Sequence, residues 1–121
     1  MNFNSNKAIY LQMADRLSDD ILAGRYGPDE RIPSVREYAG ELGVNANTAV
    51  KSYDELARAG IIYNRRGLGY FVSSDAAERI RKSRREEFFR NTLPEVARQM
   101  HLLGITVEEM TQHLKEADAQ S

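Results

Sequence analysis

At 121 residues, 41% of them hydrophobic, the chain has room for one compact domain and a modest appendage, and lacks the bulk of most enzymes. A formal charge of -1 denies it a general attraction to polyanions, so affinity for nucleic acid has to come from a local cluster of Lys and Arg. The absence of cysteine excludes disulfides, zinc ribbons and thiol catalysis, and suits a reducing compartment. The opening MNFNSNKAIY has no hydrophobic secretory core, and no run approaches the roughly 18 to 20 apolar residues of a spanning helix. A cytoplasmic protein without membrane contact is expected.

Ile9, Met13, Leu17 and Ile21 recur every fourth residue among charged positions, which predicts one buried stripe on an amphipathic helix ended by Gly24. Gly27 and Pro28 make Arg25 to Ile32 a chain-reversing loop. Ser34 and Glu37 have the spacing of a capping box, and the short helix they start turns Val35, Tyr38, Ala39 and Leu42 inward. Gly43 permits the left-handed backbone of a tight turn, Val44 plugs the corner, and Asn45 caps the next helix. Along that helix Ala49, Tyr53, Leu56 and Ala57 form the inner side, leaving Asn47, Thr48, Lys51 and Ser52 outward. After Gly60, Ile61 to Tyr63 and Tyr70 to Val72 have the β-branched and aromatic content of paired strands, joined by Asn64-Arg65-Arg66-Gly67-Leu68-Gly69.

From about Asp75 the chain becomes a charged helical arm. Arg79, Arg81, Lys82, Arg84 and Arg85 come first; interspersed with Glu78, Glu86 and Glu87, they read as a solvated face. Phe88, Phe89, Leu93, Val96, Met100 and Leu103 follow, and Pro94 either bends this helix or starts a new one. Leu103-Gly104 marks an end, and Thr106 with Glu109 repeats the capping-box spacing before Val107, Met110 and Leu114. The expected fold is mainly α with a small β-hairpin: a winged helix-turn-helix over 1–74 and a short helical dimerisation arm over 75–121. The arm is too small to enclose its own apolar residues, so Phe88, Phe89, Leu93, Val96, Met100, Leu103, Met110 and Leu114 are expected to bury against a second copy.

A helix-turn-helix places the first turn of its second helix at base edges in the major groove, and a basic hairpin beside it carries arginine to the backbone or minor groove. Asn45 and Asn47 offer donor and acceptor together, as adenine does, although both residues also suit a helix cap. Thr48 suits a phosphate or a thymine methyl, and equally its own backbone. Ser34 and Arg36 share one turn and can present a hydroxyl and a guanidinium to one phosphate; the competing reading of Arg36 is an ion pair with Glu37 or Glu41. Lys51 is a further phosphate candidate. Arg65, Arg66 and Gly67 form the tip expected to enter the minor groove. As a phosphate-cofactor loop the G-x-G fails, because a strand rather than a helix follows.

Several blocks of the first seventy residues closely resemble the winged helix-turn-helix of GntR-family bacterial transcription regulators. These are Ile9-Tyr10-Leu11-Gln12, Gly24-Arg25-Tyr26, Ile32-Pro33-Ser34-Val35-Arg36, Leu42-Gly43-Val44-Asn45 and Arg66-Gly67-Leu68-Gly69-Tyr70-Phe71-Val72. Asn45 to Thr48, with Lys51 and Tyr53, look most like the YtrA subfamily, whose small regulators follow the wing with about fifty residues of helical dimerisation arm. Many regulators with larger effector domains carry two recognition-helix arginines where this chain has Ala46 and Val50, so the contacts of those arginines do not transfer. The likeness implies that Asn45, Asn47, Thr48 and Lys51 do the reading with Arg36, and it implies no dedicated effector domain.

Catalysis gains no support: His101 and His113 stand apart, and the adjacent acid pairs point to different helix faces. The expectation is therefore a regulator and not an enzyme, without cofactor or metal, a repressor acting as a homodimer on a near-palindromic double-stranded DNA operator. A small-molecule effector stays unspecified. The rivals are a winged-helix protein-interaction module and an effector switch holding a ligand near Phe88, Phe89 and His101.

Overall fold

Helix α1 (Ile9–Leu22) turns Met13, Leu17 and Ile21 inward, as the spacing of four predicts, while Ile9 in its first turn is exposed and takes no part in the stripe. The computed structural model describes residues 7–121; residues 1–6, part of the opening segment read above for an export signal and of the 1–74 domain, lie outside the described residues. Helix α2 (Val35–Leu42) opens on a complete capping box: the Ser34 Oγ accepts from the Glu37 N–H and the Glu37 carboxylate accepts from the Ser34 N–H, each at 3.1 Å. Gly43, at φ 66°, closes it in the left-handed conformation, and the chain turns into α3 (Ala46–Arg58) at Asn45. Val44 packs half-buried against the core at that corner.

The buried seam of α3 is Ala49, Ser52, Tyr53 and Leu56, which corrects two expectations. Ser52 faces inward and Ala57 is exposed. The positions i, i+3, i+4 and i+7 define the narrow stripe that meets the facing helices, and Ala57 falls beyond its edge. Strands β1 (Ile62–Arg65) and β2 (Gly69–Val72) pair antiparallel with Ile62 opposite Val72 and Arg65 opposite Gly69. They run further toward the tip than their apolar residues suggested, leaving only Arg66, Gly67 and Leu68 in the turn. The loop before α2 adds a second, short pairing: the Ile32 N–H donates to the Tyr70 carbonyl at 3.0 Å, and the Val72 N–H to the Glu30 carbonyl at 2.9 Å. Arg31 thereby bridges Phe71.

The core lies where α1, α2, α3 and the hairpin meet. Tyr53, at its centre, has its ring 6.0 Å from that of Tyr38 and edge-on to Tyr70 at 5.1 Å, and its hydroxyl donates to the Pro33 carbonyl at 2.6 Å. Burial pushes the Tyr38 phenol up to about 12 and raises that of Tyr53 further. Helix α4 (Ala76–Glu87) buries Ala76 and Ile80 in this same core. The first compact unit accordingly extends to Lys82, part-way along α4.

The second unit, Ser83–Ser121, begins with the end of α4 and a π-helical turn at Phe88–Thr92. Pro94 sits in the first turn of α5 (Leu93–Leu103), where Thr92 and Leu93 before it keep right-handed helical backbone, so the helix runs on from the π-helical turn and Pro94 does not open a separate one. Gly104 closes α5 at φ 68°, and the Thr106 Oγ1 caps α6 (Val107–Ala119) by accepting from the Glu109 N–H at 3.1 Å. No residue of the π-helical turn, α5 or α6 is buried. Among the described residues no helix is long and apolar enough to cross a membrane.

Candidate nucleic-acid interface

The first turn of α3 faces solvent through Asn45, Asn47 and Lys51, with Thr48 half-buried. Asn45 carries out its capping role, its Oδ1 accepting from the Asn47 N–H at 2.7 Å, which leaves the amide nitrogen of its side chain outward. Among the described residues neither the Asn47 amide nor the Lys51 ammonium has a hydrogen-bond or ion-pair partner within the protein. Both groups are available to a ligand without first breaking a contact. Tyr53, one turn later, ties this helix to Pro33 immediately before the α2 cap. The tether fixes α3 relative to Ser34.

Ser34 is half-buried; its Oγ accepts from the Glu37 N–H, and its hydroxyl also lies within reach of the Glu37 carboxylate. The hydrogen bond from the Ser34 backbone N–H holds the Glu37 carboxyl below its ordinary range. Glu37 is thus occupied as a cap, and Arg36 is exposed with no ion pair among the described residues, so the competing reading of Arg36 is not realised.

The two wing arginines, grouped together by sequence, occupy different settings. Arg66 lies in the turn, exposed and without an ion pair among the described residues, beside Gly67 at φ 80°. The Leu68 N–H donating to the Arg65 carbonyl at 2.8 Å closes that turn, and the positive φ at its third position is what glycine supplies. Arg65 instead ends β1 and lays its guanidinium over the Phe71 ring at 5.2 Å and the Tyr63 ring at 5.9 Å. Those rings stack 5.8 Å apart, and the Tyr63 hydroxyl donates to Asp29 Oδ1 at 2.8 Å. Asp29 holds the non-glycine residue's rare left-handed backbone, at φ 62°. Sequence reasoning missed Arg31, whose guanidinium lies over Gly69 on this wing; only its pairing with Phe71, forty residues away in sequence, reveals the placement.

In the second unit Phe88, Phe89, Leu93, Leu103 and Leu114 are exposed, while Val96, Met100 and Met110 are half-buried. Leu102 and Val107 extend the exposed apolar set; Leu102 was not singled out from the sequence. Phe88 and Phe89 meet edge to face at 5.4 Å, with the Arg85 guanidinium 5.9 Å from the Phe89 ring. Among the described residues no group of three or more His, Asp or Glu is placed to hold a metal ion.

A model of the gntR family of bacterial regulatory proteins matches residues 9–72, from the start of α1 to the end of the wing. The chain belongs to the GntR family. It is 38% identical over 113 residues to the regulator YhcF of Bacillus subtilis, covering 93% of this chain and 92% of that one. The transcriptional repressor YtrA of the same organism is 31% identical over 115 residues, covering 95% and 88%. Among solved structures, a GntR-family regulator from Bacteroides thetaiotaomicron superposes with a TM-score of 0.79 at 44% identity, over 94% of this chain and all of that one. The DNA-binding domain of AraR, solved in complex with operator ORX1, matches 60% of this GntR chain and 93% of its own at a TM-score of 0.53 and 28% identity. The mainly helical architecture with one antiparallel hairpin is the winged helix-turn-helix of this family of regulators, which are not enzymes.

Proposed function

We propose that this GntR regulator represses transcription by binding a near-palindromic operator as a homodimer, with 1–74 as the DNA-binding part and 75–121 as the dimerisation arm. The observation that carries the reading is the exposed, unengaged first turn of α3. That helix packs against α2, which bears Arg36, and against β1 of the wing. Asn47 reads a base edge, adenine being the natural partner of an amide, with Asn45 and Thr48 beside it. Ser34, Arg36 and Lys51 hold backbone phosphates, and Arg66 with Gly67 enters the minor groove. Repression is in keeping with the name of the YtrA relative, and operator binding with the AraR complex. The exposed apolar residues of the second unit support a dimer, which sets two recognition helices about 34 Å apart, one turn of the duplex. The work of such a regulator lies in the cytoplasm, beside the chromosome.

The test is a footprint on DNA upstream of the chain's own gene, together with sedimentation at micromolar concentration. Two protected half-sites about 10 bp apart and a dimeric mass are expected. Equal affinity for every duplex, or a monomer at that concentration, overturns the reading.

A further inference from the structure

Resting on the DNA-binding reading above, we propose that Arg31 and Arg65 together form a second phosphate-binding site on the side of the wing, separate from its tip. In antiparallel pairing, residues directly opposite each other project from the same face of the sheet. Tyr63 is paired with Phe71, Arg65 with Gly69, and Arg31 bridges Phe71 from the other side. All five positions therefore share one face. Ile62 and Val72, which alternate with them, are buried on the opposite face.

Gly69 is what lets the two guanidinium groups share that face. A Cβ built on it would stand 3.1 Å from the Arg31 Nε and 3.6 Å from one of its terminal nitrogens, so the missing side chain is the space the Arg31 guanidinium occupies. Arg65 reaches the same neighbourhood from the opposite strand and rests on the Phe71 ring, which adjoins Gly69 two residues along. The aromatic shelf holds it by cation–π attraction rather than by a carboxylate. Among the described residues neither arginine forms an ion pair. The acidic groups near the face are already engaged: Asp29 accepts from the Tyr63 hydroxyl, which Arg65 also approaches, and Glu37, which Arg31 influences only through space, accepts from Ser34.

Two positive groups held on one face without an acid between them repel each other, and an oxygen-rich anion converts that repulsion into attraction. Guanidinium forks match phosphate oxygens in shape as well as charge. The occupant is one phosphate of the duplex backbone, held beside the groove that the Arg66 tip enters. A phosphate contact is blind to sequence, so the site adds affinity uniformly and discriminates no base.

Its test needs no operator. Binding of a random 25-bp duplex is followed by fluorescence anisotropy across a salt series for the full chain and for Arg31→Ala, Arg31→Lys and, as a charge control in the second unit, Arg98→Ala. Each neutralised phosphate contributes about 0.9 to the slope of log K against log salt. Arg31→Ala is expected to lower the slope by about 0.9, so that its affinity deficit shrinks about 3.5-fold between 50 and 200 mM salt. Arg31→Lys and Arg98→Ala should keep the parent slope. A parent slope in Arg31→Ala overturns the proposal, even if that variant melts earlier, because a merely structural arginine changes stability without changing counterion release. Inorganic phosphate at millimolar concentration, titrated against the free chain, separates the sources. Arg31-dependent protection from heat by phosphate alone would make the site one for free anion and overturn the backbone assignment. Failure of the parent chain to bind any duplex sinks the DNA-binding reading itself, an outcome distinct from failure of Arg31→Ala alone.

Discussion

Replacing Tyr53 by Phe removes one hydroxyl from the tether between the recognition helix and the start of α2. The ring, which is fully buried and packed against Tyr38 and Tyr70, is retained, so packing and aromatic contacts persist and the hydroxyl is isolated. Its hydrogen bond to the Pro33 carbonyl is short, 2.6 Å, and the carbonyl it leaves behind sits in a half-buried residue that water reaches only in part. A net hydrogen bond contributes about 1 kcal/mol, and an acceptor left partly unsatisfied keeps the loss at or slightly above that. For a unit of this size about 1 kcal/mol corresponds to a fall in Tm of roughly 4–8 °C. Circular dichroism melts at neutral pH measure it directly. The same substitution changes the alkaline limb. Above pH 10 an unfolded chain releases its tyrosine protons, while the folded chain holds those of Tyr38, up to its value of about 12, and of Tyr53. The unfolded state then binds fewer protons, so stability is fully present below pH 10 and declines as pH rises beyond it. Tyr53→Phe removes one of the two buried phenols, and the gap in Tm between parent and variant should narrow above pH 10. An unchanged Tm at neutral pH, or a gap that widens in alkali, refutes the reasoning.

Asn47→Ala is expected to relax preference at one base position by about 1–3 kcal/mol while leaving the salt slope intact, whereas Arg66→Ala should weaken every duplex and flatten the slope by about 0.9; a competition series against single-base operator variants separates the two. Ser52→Ala deletes a buried hydroxyl that has no hydrogen-bond partner among the described residues, so the variant should be more stable by about 1 kcal/mol in urea unfolding, and a lower midpoint would show that the hydroxyl is satisfied. Phe89→Glu with Leu103→Glu puts two charges on the exposed apolar set of the second unit; sedimentation should report a monomer at micromolar concentration, and a dimer of parental affinity would remove these residues from the interface.

Features governed by short-range chemistry were legible before any coordinates. The Ser34–Glu37 box, the left-handed turn at Gly43, the helix end at Gly104 and the Asn45 cap each depend on a few consecutive residues, and each formed as read. The stripe of α1 was legible for the same reason, apart from Ile9, whose place in the first turn carries it beyond the reach of the facing helices. Candidate phosphate and base contacts were legible as residue types. What separated Arg65 from Arg66 was not: adjacent in sequence, they differ because one belongs to a strand that continues past its last apolar residue and the other to the turn.

Ser52 and Ala57 show which signal should take precedence when two disagree. Residue type put Ala57 inside and Ser52 outside, whereas spacing from Ala49 put Ser52 at i+3 and Ala57 at i+8, the margin of the stripe. Spacing prevailed, because the position of a side chain on a helix is fixed by backbone geometry, while burying one small hydroxyl costs only about 1–3 kcal/mol and the neighbouring Tyr53 and Leu56 outweigh it. Arg31 marks the opposite limit. Nothing in Glu30-Arg31-Ile32 alternates long enough to announce a strand, and the segment makes its single bridge only when the loop through Gly27 and Pro28 lays it beside β2. A residue whose placement is decided by a partner forty positions away carries no local signature. Functional groups positioned in that way can be found only by asking which side chains a completed sheet gathers on one face.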